Sequence, residues 1–438
     1  MNFIQSLVKL HKIVPLHKQI PSIREGQIFH GHVRKLMPNN MAHVELSGKQ
    51  IIAKLEAPLQ AEHHYWFQVE QSESTPVLKV IAPFESNKES QSNDKSFELL
   101  LKQLGLPSTA KHKAILSFLK NEGLPFSKSF LQKAVSLLKN ENISQNVAVL
   151  KLMVDRNLPF RQSIFDALNS LTSNKPFVSQ LQQIVNSLNK TPNLSPSAVH
   201  LNDNLLKMID QLHWMKSGGG TSLASNENDW EKHFPLKTIL DILGFHYEKN
   251  LTKFLKGHVP IDEFKNQLMT IKPTLLSLLK EDIPTEIKTL IQETVQRITG
   301  QQLLFKNNDS MVQLFFQLPI LNQFGKPDSI VHFQGKQKKG QIDPDFCRIL
   351  FYLNLEKLNE IVVDVHIQNR IISLSIYNEN EYPVTKLKPL ERSLKTRLDQ
   401  AGYNLTSVKW MKQTVKQQSF DNMYSEHAGG FQGVDVKI

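Results

Sequence analysis

The sequence predicts a multi-domain protein with a small N-terminal β-barrel (OB-like), an all-α helical middle and an α+β C-terminal domain. Three observations predict this. The 438 residues exceed the roughly 250–300 residues at which a single hydrophobic core stops growing. Short runs with two-residue alternation fill residues 24–82, and helical periodicity replaces them from Phe97 to Gly300. Two-residue alternation then returns, so the chain changes structural class twice.

These changes of pattern divide the chain into eight predicted segments. They are an N-terminal segment 1–23, a barrel 24–84, a linker 85–96, a helical domain 97–216, a flexible linker 217–229, a helical segment 230–300, an α+β domain 301–410 and a tail 411–438. Residues 85–96 contain no apolar side chain, and residues 217–220 read Ser-Gly-Gly-Gly. Neither composition can contribute to a core, which is why both are interpreted as linkers.

Five short runs rich in β-branched and aromatic residues predict the strands of the barrel. They are Gln27–Arg34, Met41–Leu46, Gln50–Leu55, Tyr65–Glu70 and Val77–Ile81. Turn residues separate them, and Ser47-Gly48 is typical of a tight hairpin. Five strands in about 60 residues favour a closed barrel, because closure removes exposed sheet edges.

A weak internal repeat marks the helical middle. Leu124–Phe130 resembles Leu158–Ile164, which lies 34 residues further along. Each copy carries a proline, Pro125 or Pro159, where a new helix is expected to begin, because proline has a fixed φ and no N–H group to satisfy. The repeat indicates stacked helical hairpins.

The C-terminal domain is predicted to be an antiparallel sheet with one covering helix. Alternating apolar residues between Leu314 and Ile376 predict strands with one buried face. Leu390, Leu394 and Leu398 then follow helical spacing, and Gly402 stands where a C′ glycine ends a helix. A sheet needs its apolar face covered, and this helix is the available cover.

The stretch Arg348–Trp410 resembles the C-terminal domain of the flagellar hook-length control (FliK) family. A strand ending in Leu355, a leucine-containing loop, paired Val/Ile-rich strands and an amphipathic helix occur in the same order, followed by Gly402-Tyr403-Asn404-Leu405. The chain's ending, Gly433–Ile438, is similar to that of Gram-positive members. One departure is Asn359, which stands at the family's glycine position; Asn tolerates left-handed backbone better than most residues.

The resemblance implies a function without catalysis. Members of the family bind the cytoplasmic domain of the flagellar type III export gate and control which substrates are exported. The resemblance implies that the C-terminal domain makes this contact, and the candidate partner-binding residues are Leu358, Asn359 and Glu360 in the loop that follows Leu355. An exposed loop or sheet edge could offer main-chain groups to such a partner. Folded helices replace the family's Pro/Thr/Ala-rich middle, so a ruler function is not expected to carry over.

Charge and cysteine content limit the other classes. The net charge is +11, but the excess of Lys and Arg over Asp and Glu is +3 in residues 1–84, +5 in 85–300, +3 in 301–410 and zero in 411–438. No single region concentrates the charge, as a nucleic-acid binder usually does. One cysteine, the lack of a signal-peptide pattern and the lack of an 18-residue apolar run predict a cytoplasmic protein without a membrane span.

No set of residues predicts an enzyme, a cofactor, a metal site or a small-molecule substrate. His30 and His32 share one face of a strand, and His63-His64 are assigned to a turn, but no third ligand stands at a persuasive spacing. Cys347 has no nearby base in sequence and is interpreted as a small buried hydrophobe. Acidic residues at 343, 345 and 364 have simple roles in turns or on an exposed face.

Nucleic-acid binding by the barrel is the alternative function. A surface on which the bases of a single strand stack would need exposed aromatic rings beside cations. The candidates are Phe29, Tyr65, Trp66 and Phe67 with Arg34, Lys35 and Lys54. Alternating aromatic residues on strands more often form a core, which is the favoured interpretation of these four rings.

Overall fold

A computed structural model of the chain describes twelve stretches of residues. They are 24–46, 49–70, 76–84, 91–139, 142–173, 175–216, 235–308, 311–318, 329–338, 341–355, 358–380 and 384–412. The predicted N-terminal segment 1–23, the turn Ser47-Gly48, the flexible linker 217–229 and most of the tail 411–438 lie outside these stretches.

The first five strands form the predicted barrel. They are β1 (Ile28–Met37), β2 (Met41–Leu46), β3 (Lys49–Leu55), β4 (His63–Glu70) and β5 (Val77–Phe84). The barrel is closed, with the strand order β1-β2-β3-β5-β4. Strands β3 and β5 pair in parallel, and the other neighbours pair antiparallel. The five predicted runs are therefore confirmed as strands of an OB-like barrel.

Alternate side chains of these strands fill the barrel interior. Phe29 and Val33 of β1 pack with Phe67 of β4, and all three are fully buried. Gly31 lies between them, because a Cβ atom there would come within 3.0–3.1 Å of three neighbouring side chains. Residues between these inward positions point outward, as a period of two requires.

Helices follow the barrel within the same compact unit of the chain, residues 13–165. They are α1 (Gln91–Gln103), α2 (Ala110–Glu122), α3 (Lys128–Leu137) and α4 (Ile143–Asp155), with α5 (Gln162–Ser170) starting at its end. Both repeat copies lead into a helix, since α3 and α5 each begin three residues after the proline. The prediction of a linker over 85–96 is wrong for Gln91–Ser96, which form the first turns of α1.

The second compact unit contains the other helices together with the C-terminal sheet. The helices are α6 (Phe177–Asn189), α7 (Pro196–Lys216), α8 (Pro235–Leu243), α9 (Tyr247–Leu255), α10 (Ile261–Leu268), α11 (Ile271–Leu278) and α12 (Thr285–Leu303). The chain thus divides near residue 165, within the predicted helical domain 97–216. No helix among the described residues is long and apolar enough to cross a membrane.

Seven strands and one further helix complete this unit. They are β6 (Lys306–Asn308), β7 (Met311–Leu318), β8 (Ser329–Lys338), β9 (Gln341–Leu355), β10 (Asn359–Gln368), β11 (Ile371–Asn378), α13 (Val384–Gln400) and β12 (Asn404–Lys412). The strand order is β12-β11-β10-β9-β8-β7-β6. All neighbours are antiparallel except β11 and β12, which are parallel because a helix connects them.

A row of six apolar side chains crosses the sheet from β7 to β12 through successive cross-strand pairs. Its members are Phe316, Val331, Phe351, Val363, Ile376 and Trp410. Phe316 and Val331 are buried in a core shared with the helices of the unit, and Phe351 packs against that core. The members from Val363 onward are only half-buried.

The prediction that one helix covers the sheet is corrected by this arrangement. The helices before β6 cover strands β7–β9, whereas α13 packs against the edge strand β12. Apolar spacing shows that a helix has an apolar face, but it does not show what that face contacts. Pro389 lies inside α13, and Gly402 has φ 78° and ends the helix as predicted.

Candidate functional site

The predicted partner-binding turn connects β9 and β10. Leu355 lies opposite Asn359 in the strand register, and Asn359 has φ 55°, the left-handed conformation expected at the family's glycine position. The buried side-chain amide of Asn378 donates to the carbonyl oxygens of Leu358 at 2.6 Å and Glu360 at 2.9 Å. These two hydrogen bonds tie the described end of the turn, Leu358 to Glu360, to β11.

The three predicted partner-binding residues differ in exposure. The side chain of Asn359 is exposed, whereas those of Leu358 and Glu360 are half-buried. Nothing in this geometry tests whether a partner binds there, so the assignment remains a prediction.

A buried ion pair joins the same two strands further from the turn, where Asp364 lies opposite Leu350 in the register. The guanidinium of Arg348 donates to both carboxylate oxygens of Asp364, at 3.0 and 2.7 Å. Burial alone would raise the pKa of Asp364, but hydrogen bonds from His366 and Arg348 and the charge of Arg348 together lower it. Asp364 was assigned to an exposed face by its sequence pattern, and that assignment is wrong. The bidentate pair fixes β9 against β10.

Helix α13 carries exposed apolar side chains. Leu390 is 66% exposed and Leu394 is 37% exposed, while Leu398 is half-buried. Spacing of four places them in one line along the helix, here called the α13 ridge. Burying a leucine side chain contributes about 1.5–3 kcal/mol, so an exposed line of leucines on a folded helix indicates a surface suited to a protein partner.

The outer face of β1, β2 and β3 is a second candidate surface, here called the barrel face. Lys35, His43 and Ile52 are consecutive cross-strand partners, and Met41 pairs with Lys54 in the neighbouring row. Lys35 and Lys54 are exposed, and the side chain of Ile52 is 50% exposed. OB-like barrels bind oligonucleotides or oligosaccharides on this face. Two cations and an apolar centre are compatible with such a ligand.

The aromatic stacking surface predicted for the barrel is wrong, and the interpretation of its rings as core is confirmed. Phe29, Tyr65 and Phe67 lie in the barrel interior. Trp66 points outward but is fully buried, and its indole N–H donates to Ser96 Oγ at 3.2 Å. Of the predicted cations, Arg34 is paired with Glu45 at 2.6 Å and also contacts Glu62.

The histidines occupy one side of the barrel. His30 and His32 share a face of β1, as predicted, but His63-His64 belong to β4 and not to a turn. The ring of His64 stacks against both His30 and His32, with centroids 5.0 and 4.2 Å apart. Across the described stretches, no group of three or more His, Cys, Asp or Glu residues could hold a metal ion.

Cys347 lies on β9 and is half-buried. Its thiol donates to the carbonyl oxygen of Asp343 at 3.4 Å. Burial, followed by the charges of Asp343 and Asp345, raises its pKa, so the thiolate is disfavoured. Asp345 accepts a hydrogen bond from Arg370 and lies at the far end of β9 from the turn. These residues do not assemble a nucleophile with a base.

Fold and surfaces together define a multi-domain protein with an N-terminal OB-like barrel and a C-terminal mixed-sheet domain. The family described as TP0910 S1-like domain matches residues 5–79, a region that includes β1–β4. The match covers a small part of the chain, and it agrees with the closed five-stranded barrel.

A curated relative is the uncharacterized protein YlqG of Bacillus subtilis (strain 168). It is 29% identical over 176 residues, which are 39% of this chain and 30% of YlqG. The matched region thus spans less than a third of that relative's length. No solved structure matches the chain.

Proposed function

We propose that this chain is a non-enzymatic interaction protein whose C-terminal domain binds the cytoplasmic domain of a type III export gate and controls export substrate specificity. The partner comes from the resemblance of Arg348–Trp410 to flagellar hook-length control proteins. The observation that carries the proposal is the exposed α13 ridge. Helix-in-groove recognition uses apolar side chains at this spacing.

The order of elements also supports the proposal. Strand β9, the turn, the β10–β11 hairpin, α13 and β12 follow one another as in the resembling family. Asn359 takes the backbone conformation that a glycine would take. The turn and α13 precede and follow the same hairpin, so both belong to one small substructure.

Charges placed on the ridge are expected to abolish binding to the export-gate domain. In the variant Leu390→Glu with Leu394→Glu, the two leucines that the partner would bury are replaced by carboxylates. A carboxylate loses favourable hydration when it is buried. Losing about 3 kcal/mol of apolar burial corresponds to more than a hundredfold increase in Kd. Isothermal titration calorimetry of the full chain with the purified export-gate cytoplasmic domain of the same genome measures this.

A matched control adds the same two charges to another side of the helix. Thr396 and Gln400 are exposed on α13 and lie away from the ridge. The variant Thr396→Glu with Gln400→Glu is expected to bind like the unmodified chain. Equal Kd values for the two double variants, or no binding by the unmodified chain at micromolar concentration, would count against the proposal. Leu358→Ser tests the predicted turn in the same assay.

Binding of single-stranded nucleic acid at the barrel face is the second candidate. It is supported by the S1-like match and by exposed Lys35 and Lys54 beside Ile52. Because the stacking rings are buried, the backbone phosphates would dominate the affinity.

Lys35→Glu with Lys54→Glu is expected to weaken binding of the full chain to a fluorescent single-stranded oligonucleotide at least tenfold. Each lost phosphate contact removes about 0.7 from the slope of log K against log salt, so the slope should fall by roughly 1.4. Lys95→Glu with Lys102→Glu, on exposed positions of α1, is the charge-matched control. Fluorescence anisotropy between 50 and 200 mM salt, roughly the range over which such contacts weaken, measures both. Identical slopes for the two variants would rule out the barrel face.

A further inference from the structure

Three imidazole rings stack on the outer side of the barrel, here called the histidine stack: His30, His32 and His64. His32 lies directly opposite His64 in the β1–β4 register, and their rings are 4.2 Å apart at 19°. His30 and His64 are stacked at 5.0 Å and 6°. Three titratable rings in contact can stack when they are neutral and repel one another when they are charged.

The histidine stack borders the seam where the barrel meets its helices. Ile28 of β1 and Phe126, between α2 and α3, exchange both backbone hydrogen bonds, at 2.6 and 2.8 Å. Trp66 fills the seam, with Ser96 and Phe97 of α1 around it. His30 lies against Trp66 edge to face, with centroids 5.2 Å apart. A change in His30 therefore acts directly on the contact between barrel and helices.

Burial and the positive groups around the stack disfavour a proton on His30. Burial, then the neighbouring His64 and Lys120 of α2, lower the pKa of His30 to about 3. Burial lowers the pKa of His64 and of Lys120 as well.

The remaining charges lie on the barrel at the other end of the stack. Glu62 is 3.3 Å from Nε2 of His32, and Arg34 and Glu45 form an ion pair with each other. Glu62 thus contacts the stack at His32, and Glu45 lies opposite His32 in the β1–β2 register.

We propose that the seam is a pH-sensitive joint, in which the neutral histidine stack holds the helices on the barrel and its protonation releases them. The sign follows from linkage. A histidine released to water has its ordinary pKa of 6.5, so the open form takes up a proton that the closed form excludes. Stability of the closed joint is complete above pH 6.5 and falls as the pH decreases below it.

The size of the effect is set by the same linkage. Each pH unit below 6.5 favours opening about tenfold for each excluded proton. At pH 5.0, His30 alone raises the opening constant about 30-fold, and His64 adds to this. Opening would uncover Trp66 and the seam backbone, which are buried at neutral pH.

Hydrogen exchange of the full chain at pH 7.5 and pH 5.0, corrected for intrinsic rates, tests the joint. Peptides that contain Ile28 and Phe126 are expected to lose protection about 30-fold or more at pH 5.0. Peptides from strand β2 of the barrel should lose much less protection. Unchanged protection at Ile28 and Phe126 in the unmodified chain would overturn the proposal whatever the variants do.

Variants assign the effect to the stack. His30→Gln cannot titrate and is expected to remove most of the pH dependence, and His64→Gln to reduce it. His43→Gln, on β2 and outside the stack, is expected to retain the full dependence. If His30→Gln does not fold, as judged by circular dichroism, His64→Gln decides. A pH dependence that survives both substitutions would show that another group controls the seam.

Discussion

Replacing Arg297 by leucine is expected to lower the free energy of unfolding of the C-terminal unit by about 3–5 kcal/mol. Arg297 lies on α12 and is only 2% exposed. Its guanidinium donates to Gln317 Oε1 at 3.2 and 3.0 Å and to the carbonyl oxygen of Lys175 at 2.8 Å. It also lies over the ring of Phe177, 5.2 Å from its centroid. One side chain thus joins α12, β7 and the start of α6.

The loss has two physical parts. Leucine leaves the Gln317 and Lys175 oxygens without these donors, and each buried unsatisfied acceptor costs about 1–3 kcal/mol. It also fills less of the space that the guanidinium occupies.

Urea unfolding followed by circular dichroism measures the change in the transition that belongs to this unit. Arg297→Lys keeps the positive charge but loses the planar guanidinium. Its free energy of unfolding should therefore lie between those of the unmodified chain and of Arg297→Leu. Arg392→Leu, exposed on α13, should change the free energy by less than about 0.5 kcal/mol. A loss below about 1 kcal/mol for Arg297→Leu would contradict this assignment.

Replacing Gly300 by alanine is expected to destabilise the same unit by about 1–3 kcal/mol. Alanine is the better helix former by about 0.8–1.0 kcal/mol, so propensity alone predicts the opposite sign. A Cβ atom at this position would lie 2.3 Å from the carbonyl oxygen of Ala167 and 3.0 Å from Leu171 Cγ. The carbonyl oxygen of Ala167 is a backbone atom and cannot rotate away as a side chain can. In the Gly300→Ala variant, α12 must therefore move away from α5.

The same unfolding experiment distinguishes the two effects. Gln292→Ala, at an exposed position on α12, reports propensity without the close approach and should change the free energy by less than about 0.5 kcal/mol. A stabilised Gly300→Ala variant would show that the two helices separate at little cost.

Gly300 also shows why one sequence boundary was misplaced. The return of alternation predicted that the helical segment ends at residue 300, but α12 continues to Leu303. Glycine commonly ends helices, and it also permits close packing of two helices. Sequence spacing does not separate these uses, because the partner, Ala167, is more than a hundred residues away.

The barrel was predictable because its information is local. Alternation identified all five strands, and positive φ at Asn39 and Asn40 shows why these residues separate β1 from β2. Pairing information is not local, which is why the parallel direction of β12 was missed. Two members of the histidine stack could be predicted, because two-residue spacing places His30 and His32 on one face of a strand. His64 joins them through the pairing of β1 with β4, which is not local information.

The predicted cover of the sheet by α13 involves the edge strand β12, whereas the helices before β6 cover strands β7–β9. Leucines at spacing four identify an apolar side of a helix correctly. The same pattern occurs whether that side is covered within the chain or left for a partner. Exposure of Leu390 therefore could not be predicted from the sequence, although it is the observation on which the proposed function depends.

The six-residue row across the sheet limits how this gene could be recombined. A fragment that begins near residue 300 would expose Phe316 and Val331 to water, because it would lack the helices that bury them. Such a fragment would be prone to aggregate through that bare sheet surface. The sheet and its preceding helices therefore form one folding module. A recombination that exchanges the C-terminal strands between relatives would have to exchange these helices with them.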